Sequence, residues 1–185
     1  MSIFDLQLET ERLILRPQQA GDFEAWAAFR EDEEACRHIG GTEPRAMAWR
    51  SFAAMIGVWH LKGFAMFSVI EKSTGQWVGR LGPWQPEGWP GTEVGWSIAR
   101  EHWGKGFAPE GARIAADWAF DHLGWSEVIH TIAEENVNSK AVAAKLGSRF
   151  LRMGQLPAPH DGKPVEIWGQ SCAEWMERRK LEGRA

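Results

Sequence analysis

A chain of 185 residues that is 44% hydrophobic can bury one continuous core and is short for two domains. A formal net charge of −4 without a long basic stripe argues against general nucleic-acid binding. No apolar run nears the roughly 18 residues of a membrane span, and the opening residues lack the pattern of a signal peptide. With only Cys36 and Cys172, far apart, neither a disulfide framework nor a metal site is indicated, so a reducing, cytoplasmic setting with no metal is the expectation.

Residues 13–17 read as a short first strand stopped by Pro17. Asp22 is placed to cap a helix reaching about His38, with Phe23, Trp26, Ala27 and Arg30 at helical spacing, and Ile39-Gly40-Gly41 breaks it. Thr42 is expected to cap a second helix that runs to about Leu61 with Pro44 in its first turn and Met47, Trp49 and Met55 along it. Residues 64–71 and 77–84 alternate as a hairpin around Ser73-Thr74-Gly75. A loop over 85–91 leads to a strand at 93–99. Then come a glycine-containing turn, a helix over 112–123, a strand over 128–133 and a short helix over 139–146 stopped by Gly147. Residues 150–154 and 165–171 read as a closing strand pair, and 172–183 as a charged helix. With no internal repeat or linker, the order predicts one mixed α/β domain over 1–185.

The turn Trp103-Gly104-Lys105-Gly106-Phe107-Ala108-Pro109-Glu110 sits where a strand hands over to a helix. Such a turn can aim several backbone N–H groups, and the positive end of the helix dipole, at one anion, most naturally a phosphate. It is not a nucleotide P-loop, because Gly104-Lys105 is followed by Gly106 rather than a hydroxyl and the upstream glycine is missing. It is not a dinucleotide turn, because Pro109 stands at the third glycine position. Taken alone, it is as readily a loop with no ligand.

Four stretches together resemble the GNAT superfamily of N-acetyltransferases, in its RimJ/RimL-like branch. Gly106 and Ala108 fall on the small positions of the family's [QR]-x-x-G-x-[GA] loop, with Trp103 where Gln or Arg is usual. Thr10-Glu11-Arg12-Leu13-Ile14-Leu15-Arg16-Pro17 is similar to the opening strand, and Thr92-Glu93-Val94-Gly95-Trp96 to the fourth strand. The run from Asn136 to Gly147 matches the N-x-x-S-x-x-x-x-x-K-L-G element, followed by Ser148-Arg149 in place of the usual aromatic. The resemblance covers about residues 8–170. It implies a central, mostly antiparallel, six- to seven-stranded twisted sheet flanked by helices and splayed between its fourth and fifth strands.

The resemblance also implies acetyl-CoA as co-substrate. Its pyrophosphate would be held by backbone groups of Gly104, Lys105, Gly106, Phe107 and Ala108, and its pantetheine arm would lie beside Ile98, Ala99 and Arg100. Asn136, Ser139 and Lys145 would complete the CoA contacts. Lys105, Arg100 and Arg113 are equally well solvated surface charges. Glu93 is the first candidate for general base, ahead of Glu71 and His130, the alternative being a solvent-facing strand start. A tyrosine donor to the leaving thiolate is absent, since the chain has none, so Ser139 is the candidate acid, the alternative being helix capping.

The acceptor loops of the family correspond to Arg37-His38-Ile39-Gly40, the Trp84–Trp89 stretch and the loop holding His160, so Trp84, Trp89 and His160 are the candidate substrate-binding residues. The alternative for the tryptophans is a sheet-edge cover or a dimer contact. Glu87, Glu93 and Asp161 are compatible with a cationic acceptor. The acceptor is expected to be a small-molecule amine or a protein N-terminus, with no nucleic-acid or membrane partner, and a homodimer is compatible. Transfer from another acyl-CoA such as succinyl-CoA, and a catalytically silent CoA-binding module, remain the alternatives.

Overall fold

The computed structural model describes residues 5–160 and 164–184. Eight strands form one sheet in the order β1-β2-β3-β4-β5-β6-β8-β7. They are β1 (Leu8–Glu9), β2 (Leu13–Arg16), β3 (Phe67–Glu71), β4 (Trp77–Trp84), β5 (Glu93–Ile98), β6 (Glu127–Ala133), β7 (Arg149–Gln155) and β8 (Pro164–Ser171). The helices are α1 (Phe23–Glu31), α2 (Glu33–Cys36), α3 (Arg45–Lys62), α4 (Phe107–His122), α5 (Val137–Leu146) and α6 (Cys172–Leu181). Every neighbouring pair is antiparallel except β5 and β6. The eighth strand, beyond the six or seven expected, is the two-residue β1, which pairs Leu8 with Leu15 at the sheet edge. No helix among the described residues is long and apolar enough to cross a membrane.

Several element boundaries differ from the sequence expectation, each for a local reason. The helix expected to reach His38 divides at Asp32, which takes an extended backbone while its Oδ1 accepts the N–H groups of Glu34 and Ala35 and starts α2. Asp22 does occupy the position before α1, but its carboxylate caps nothing in that helix. It accepts instead from both terminal nitrogens of Arg16 at 2.8 Å and from Ser68 Oγ at 2.8 Å. Pro44, not Thr42, precedes α3. Helix α4 begins five residues before Ala112, because Gly106 adopts φ 82° and turns the chain straight into Phe107. Helix α5 likewise begins early, at Val137, with the Asn136 side chain accepting the Ser139 N–H.

The core explains the appetite for tryptophan. Trp26, Trp59 and Trp175 are completely buried together with Phe52, Phe67 and the leucines of β2. Burying an indole strands its N–H unless it finds an acceptor, and each one does. Trp26 donates to Ser51 Oγ, Trp59 to the Met66 carbonyl, Trp77 to Ser68 Oγ and Trp175 to Asp117 Oδ1. The last bond ties α6 to α4.

Helix α4 packs closely on one sheet face, where a Cβ on Gly111 would stand 2.6 Å from Leu81 Cδ2 and 3.5 Å from Leu13 Cδ1. Helix α1 covers the other face, with the Arg80 guanidinium of β4 over the Trp26 ring. Gly111→Val is therefore expected to destabilise the fold by about 1–3 kcal/mol through overpacking, despite a small gain in helix propensity. Urea unfolding monitored by tryptophan fluorescence measures this as a lowered midpoint at unchanged slope.

Candidate active site

Strands β5 and β6 meet in register only at Glu93 and Ile129 and then part. Backbone polar groups alternate sides along a strand. The Ala99 N–H donates to Val78 in the β4 direction, so Ser97 and Gly95 face β4 as well. Thr92, Val94, Trp96 and Ile98 face the parting. The Thr92 carbonyl accepts from Ile129 N–H, the Val94 carbonyl is met by His130 Nδ1 at 2.7 Å, and the Ile98 carbonyl accepts from the Trp103 indole at 2.7 Å. By this alternation the N–H and C=O of Trp96 and the N–H of Ile98 front the gap. An extended amide chain could pair with them as an added strand.

At the closed end of the gap sits Glu93, 5% exposed. Its carboxylate receives Thr131 N–H at 3.1 Å, Thr131 Oγ at 3.0 Å to the second oxygen, and the Trp89 indole N–H. All three bonds favour the ionised form, but desolvation outweighs them and pushes the Glu93 carboxyl up to about 7. Trp89 stands edge-on to Trp84 and to His160, with ring centroids 6.4 Å and 6.5 Å apart. Trp84 is the register partner of Glu93. Gly40 backs this group, since a Cβ there would lie 2.9 Å from His160 Cε1. The structure thus brings Trp84, Trp89, His160 and Glu93 into one cluster with the loop before α3. Of the other acids expected there, Glu87 is exposed on its loop and Asp161 lies outside the described residues.

Across the gap, Ser139 lies in the first turn of α5. Because Asn136 performs the capping, the serine hydroxyl is not spent on it. Its oxygen instead accepts the Trp96 indole N–H at 3.2 Å, which leaves the O–H free to donate elsewhere. Lys145 is exposed in the last turn of α5, about 9 Å along the axis from Ser139.

His130 is 2% exposed and forms a buried chain with its neighbours. The Val94 carbonyl can only accept, so Nδ1 carries the proton and Nε2 accepts from Ser148 Oγ at 2.9 Å. Gln170 donates to Ser148 Oγ at 2.8 Å and to the Leu146 carbonyl at 2.9 Å. Burial pushes the imidazole down to about 4, so it is neutral near pH 7 and serves as a brace. Ser148, the departure from the aromatic of the family pattern, is what completes that brace.

The glycine turn is held from the far side of the sheet edge. Arg12 donates through NH1 to the Lys105 carbonyl at 2.9 Å and through Nε to Glu110 at 2.7 Å, while Thr10 and the Arg12 N–H also bond Glu110. The Arg12 guanidinium lies 5.0 Å from the Phe107 ring centre. Gly104 and Gly106 both have positive φ, 75° and 82°. With the open first turn of the 16-residue α4, this geometry can aim several backbone N–H groups at one anion. Phe107 is buried, so it offers its backbone rather than its ring. Lys105 Nζ lies 3.2 Å from His102 Nδ1 at the turn. Arg100 points away, its guanidinium 2.9 Å from Asp32 between α1 and α2, which separates it from the other expected phosphate ligands.

The site thus combines an open parallel strand pair, a buried carboxyl at its closed end and a glycine turn at its far end. The Acetyltransferase (GNAT) domain model matches residues 12–149. The chain belongs to the GNAT acetyltransferase family. It is 31% identical over 135 residues to N-acetyltransferase p20 of Bacillus licheniformis, covering 71% of this chain and 76% of that protein. It is 33% identical over 118 residues to YkkB of Bacillus subtilis, covering 63% of this chain and 62% of that protein, so it spans less than two thirds of YkkB's length. An acetyltransferase structure from Agrobacterium tumefaciens superposes with a TM-score of 0.76 at 28% identity, covering 89% of this chain and 94% of the other.

Sequence reasoning about this GNAT domain missed residues that act through others. Arg12, Thr10, Glu110 and Trp96 were visible only as letters of motifs and Ser148 only as a departure from one, while Thr131 carried no signal of its own. The brace makes a pH prediction. The folded imidazole binds its proton more weakly than the unfolded chain does, near 6.5, so the stability it confers is complete above pH 6.5. That stability is withdrawn, by on the order of 3 kcal/mol, as pH falls from 6.5 to 4. An NMR titration is expected to show His130 neutral until close to pH 4, and His130→Asn is expected to flatten the stability slope over that interval.

Proposed function

We propose that this GNAT domain is an N-acetyltransferase that moves an acetyl group from acetyl-CoA to a primary amine by direct attack with both substrates bound. The observation that carries the reading is Glu93, a nearly buried carboxyl poised near pH 7 at the closed end of the strand gap, with the free hydroxyl of Ser139 on the gap's other wall. The relatives named N-acetyltransferases support it, as does the RimJ/RimL-like motif set.

The fit to CoA rests on this chain's own groups. The cradle from Gly104 to Ala108 and the first turn of α4 would hold the pyrophosphate, and the gap-facing backbone of Trp96 and Ile98 would hold the pantetheine amides. Asn136, Ser139 and Lys145 are the proposed side-chain contacts on α5. CoA supplies an activated thioester carbonyl. Glu93 takes the ammonium proton at its carboxylate and so frees the amine lone pair. A gap-facing N–H of β5 polarises the carbonyl oxygen. As the amine nitrogen bonds the carbonyl carbon and the C–S bond breaks, Ser139 donates its hydroxyl proton to the departing sulfur. It is reprotonated by the proton the acylated nitrogen sheds, with the Trp96 indole fixing the oxygen. Trp84, Trp89 and His160 form the acceptor wall, with water excluded by the two indoles.

Turnover at saturating acetyl-CoA is expected to rise with pH through about 7, as Glu93 loses its proton. Glu93→Gln is expected to remove that rise and to lower kcat by about 10²-fold or more, with CoA affinity by calorimetry unchanged. An unaltered pH profile would remove Glu93 as base. Gly106→Val forces a β-branched residue to positive φ beside Arg12. It is expected to weaken CoA binding by about 100-fold or more, a loss of roughly 2.7 kcal/mol. Thermal melts of the free protein report whether the variant still folds.

A further inference from the structure

One partly buried charge takes no part in the proposed mechanism. Arg80 lies on β4 opposite Ser97 of β5, and two register steps along the same face Trp84 lies opposite Glu93. Arg80 therefore shares the acceptor face of the sheet, opposite the face covered by α4. Its guanidinium rests 4.8 Å from the Trp26 ring centre, its Nε is buried without an acceptor, and it has no hydrogen bond or ion pair among the described residues. Beside it Arg30 is 4% exposed and also has a buried, unpartnered Nε. Arg30 spends its terminal nitrogens on Glu43 at 3.0 Å, the Gly41 carbonyl at 3.1 Å and Cys36 Sγ at 3.5 Å.

Glu43 acts on both guanidinium groups, and it is already bonded to Arg30 and to Ser51 Oγ. Burial and the charge of Arg30 push Arg80 down to about 10. The same two arginines, after burial, help hold the His160 imidazole below its usual range. The positive field therefore extends from Arg80 to the residue that stands against Trp89 above Glu93. A guanidinium partly withdrawn from water, with a buried Nε lacking an acceptor, is commonly paired, and its planar fork matches a carboxylate. Arg80 thus lacks a carboxylate partner among the described residues, on the same sheet face as Glu93.

We propose that Arg80 is the ligand of a carboxylate-binding subsite in the acceptor cleft, backed by Arg30, so that the substrate carries a free carboxylate as well as the amine. This rests on the N-acetyltransferase reading and specifies its substrate class as amino acids or peptides with an accessible carboxylate. The shared face with Glu93 favours the acceptor as source, and a dicarboxylic acyl group on CoA is the other source the experiment separates.

The test uses paired acceptors, amino acids and their carboxamides, including ω-amino acids of increasing length, with acetyl-CoA and with succinyl-CoA in wild type, Arg80→Gln and Arg80→Lys. Wild type is expected to prefer acids to amides by at least about tenfold in kcat/KM. Arg80→Gln is expected to abolish the preference through KM while leaving the amides within about twofold, and Arg80→Lys to restore only part of it. If the carboxylate belongs to the acyl donor, the preference appears instead as succinyl-CoA over acetyl-CoA and is lost in Arg80→Gln.

A second readout needs no turnover. With CoA bound, N-acetyl amino acids are expected to raise the melting temperature of wild type more than their amides do, and to lose that advantage in Arg80→Gln. The free Arg80→Gln variant is expected to melt no lower than wild type, since an unpaired charge is removed. Equal acid and amide behaviour in both readouts, with either donor, overturns the subsite while leaving the acetyltransferase reading intact. Failure to bind CoA at all overturns that reading instead.

Discussion

The geometry of this protein depends on the parting of β5 from β6, and on the side chains that replace the missing backbone bonds there. Two parallel strands that separate leave a row of donors and acceptors to be satisfied. The Glu93 carboxylate takes the Thr131 N–H that a neighbouring strand would have accepted, and the His130 imidazole meets the Val94 carbonyl. The first substitution places a carboxyl group at the closed end of the gap, where burial raises its proton affinity. The second holds the walls apart with a neutral ring. Only the middle of β5, around Trp96 and Ile98, keeps backbone groups facing the opening. Structural support and candidate chemistry are thus built from the same few atoms.

The far end of the gap is organised by a second long-range constraint. Arg12, immediately before β2, bonds both the glycine turn and Glu110 on the first turns of α4. A turn rich in glycine loses much entropy on ordering, and tying it to β2 through a guanidinium fork offsets part of that cost. Trp103, where the family pattern has a polar residue, closes the remaining side by donating to the Ile98 carbonyl. The anion cradle and the strand edge are therefore one rigid unit rather than a loop appended to a sheet.

Much of the architecture was legible because it is local. Alternation marked 77–84 and 128–133 as strands, Gly147 marked the end of α5, and the motif order pointed to the family. Boundaries failed where a side chain did something that periodicity does not record. Asp32 interrupts an otherwise continuous helical pattern by capping a new helix, and Asp22 gives its carboxylate to Arg16 and Ser68 rather than to α1. The grouping of Trp84, Trp89 and His160 was inferred from three loops of the family pattern, and the structure does assemble them. What else lies on their face of the sheet was not legible, because acids close in sequence were counted and arginines 50 residues apart were not.

The sequence by itself determined the family, the strand-and-helix order and the position of the glycine turn, since each is carried by motifs whose residues lie within a dozen positions of one another. Tertiary structure alone decided which charges share the sheet face of Glu93, the ionisation of Glu93 and His130 and the freedom of the Ser139 hydroxyl. These are properties of burial and of hydrogen-bond partners drawn from distant segments. Arg30 and Arg80 stand on a helix and a strand separated by all of α3 and β3, and only packing against Trp26 reveals that one of them has no anion.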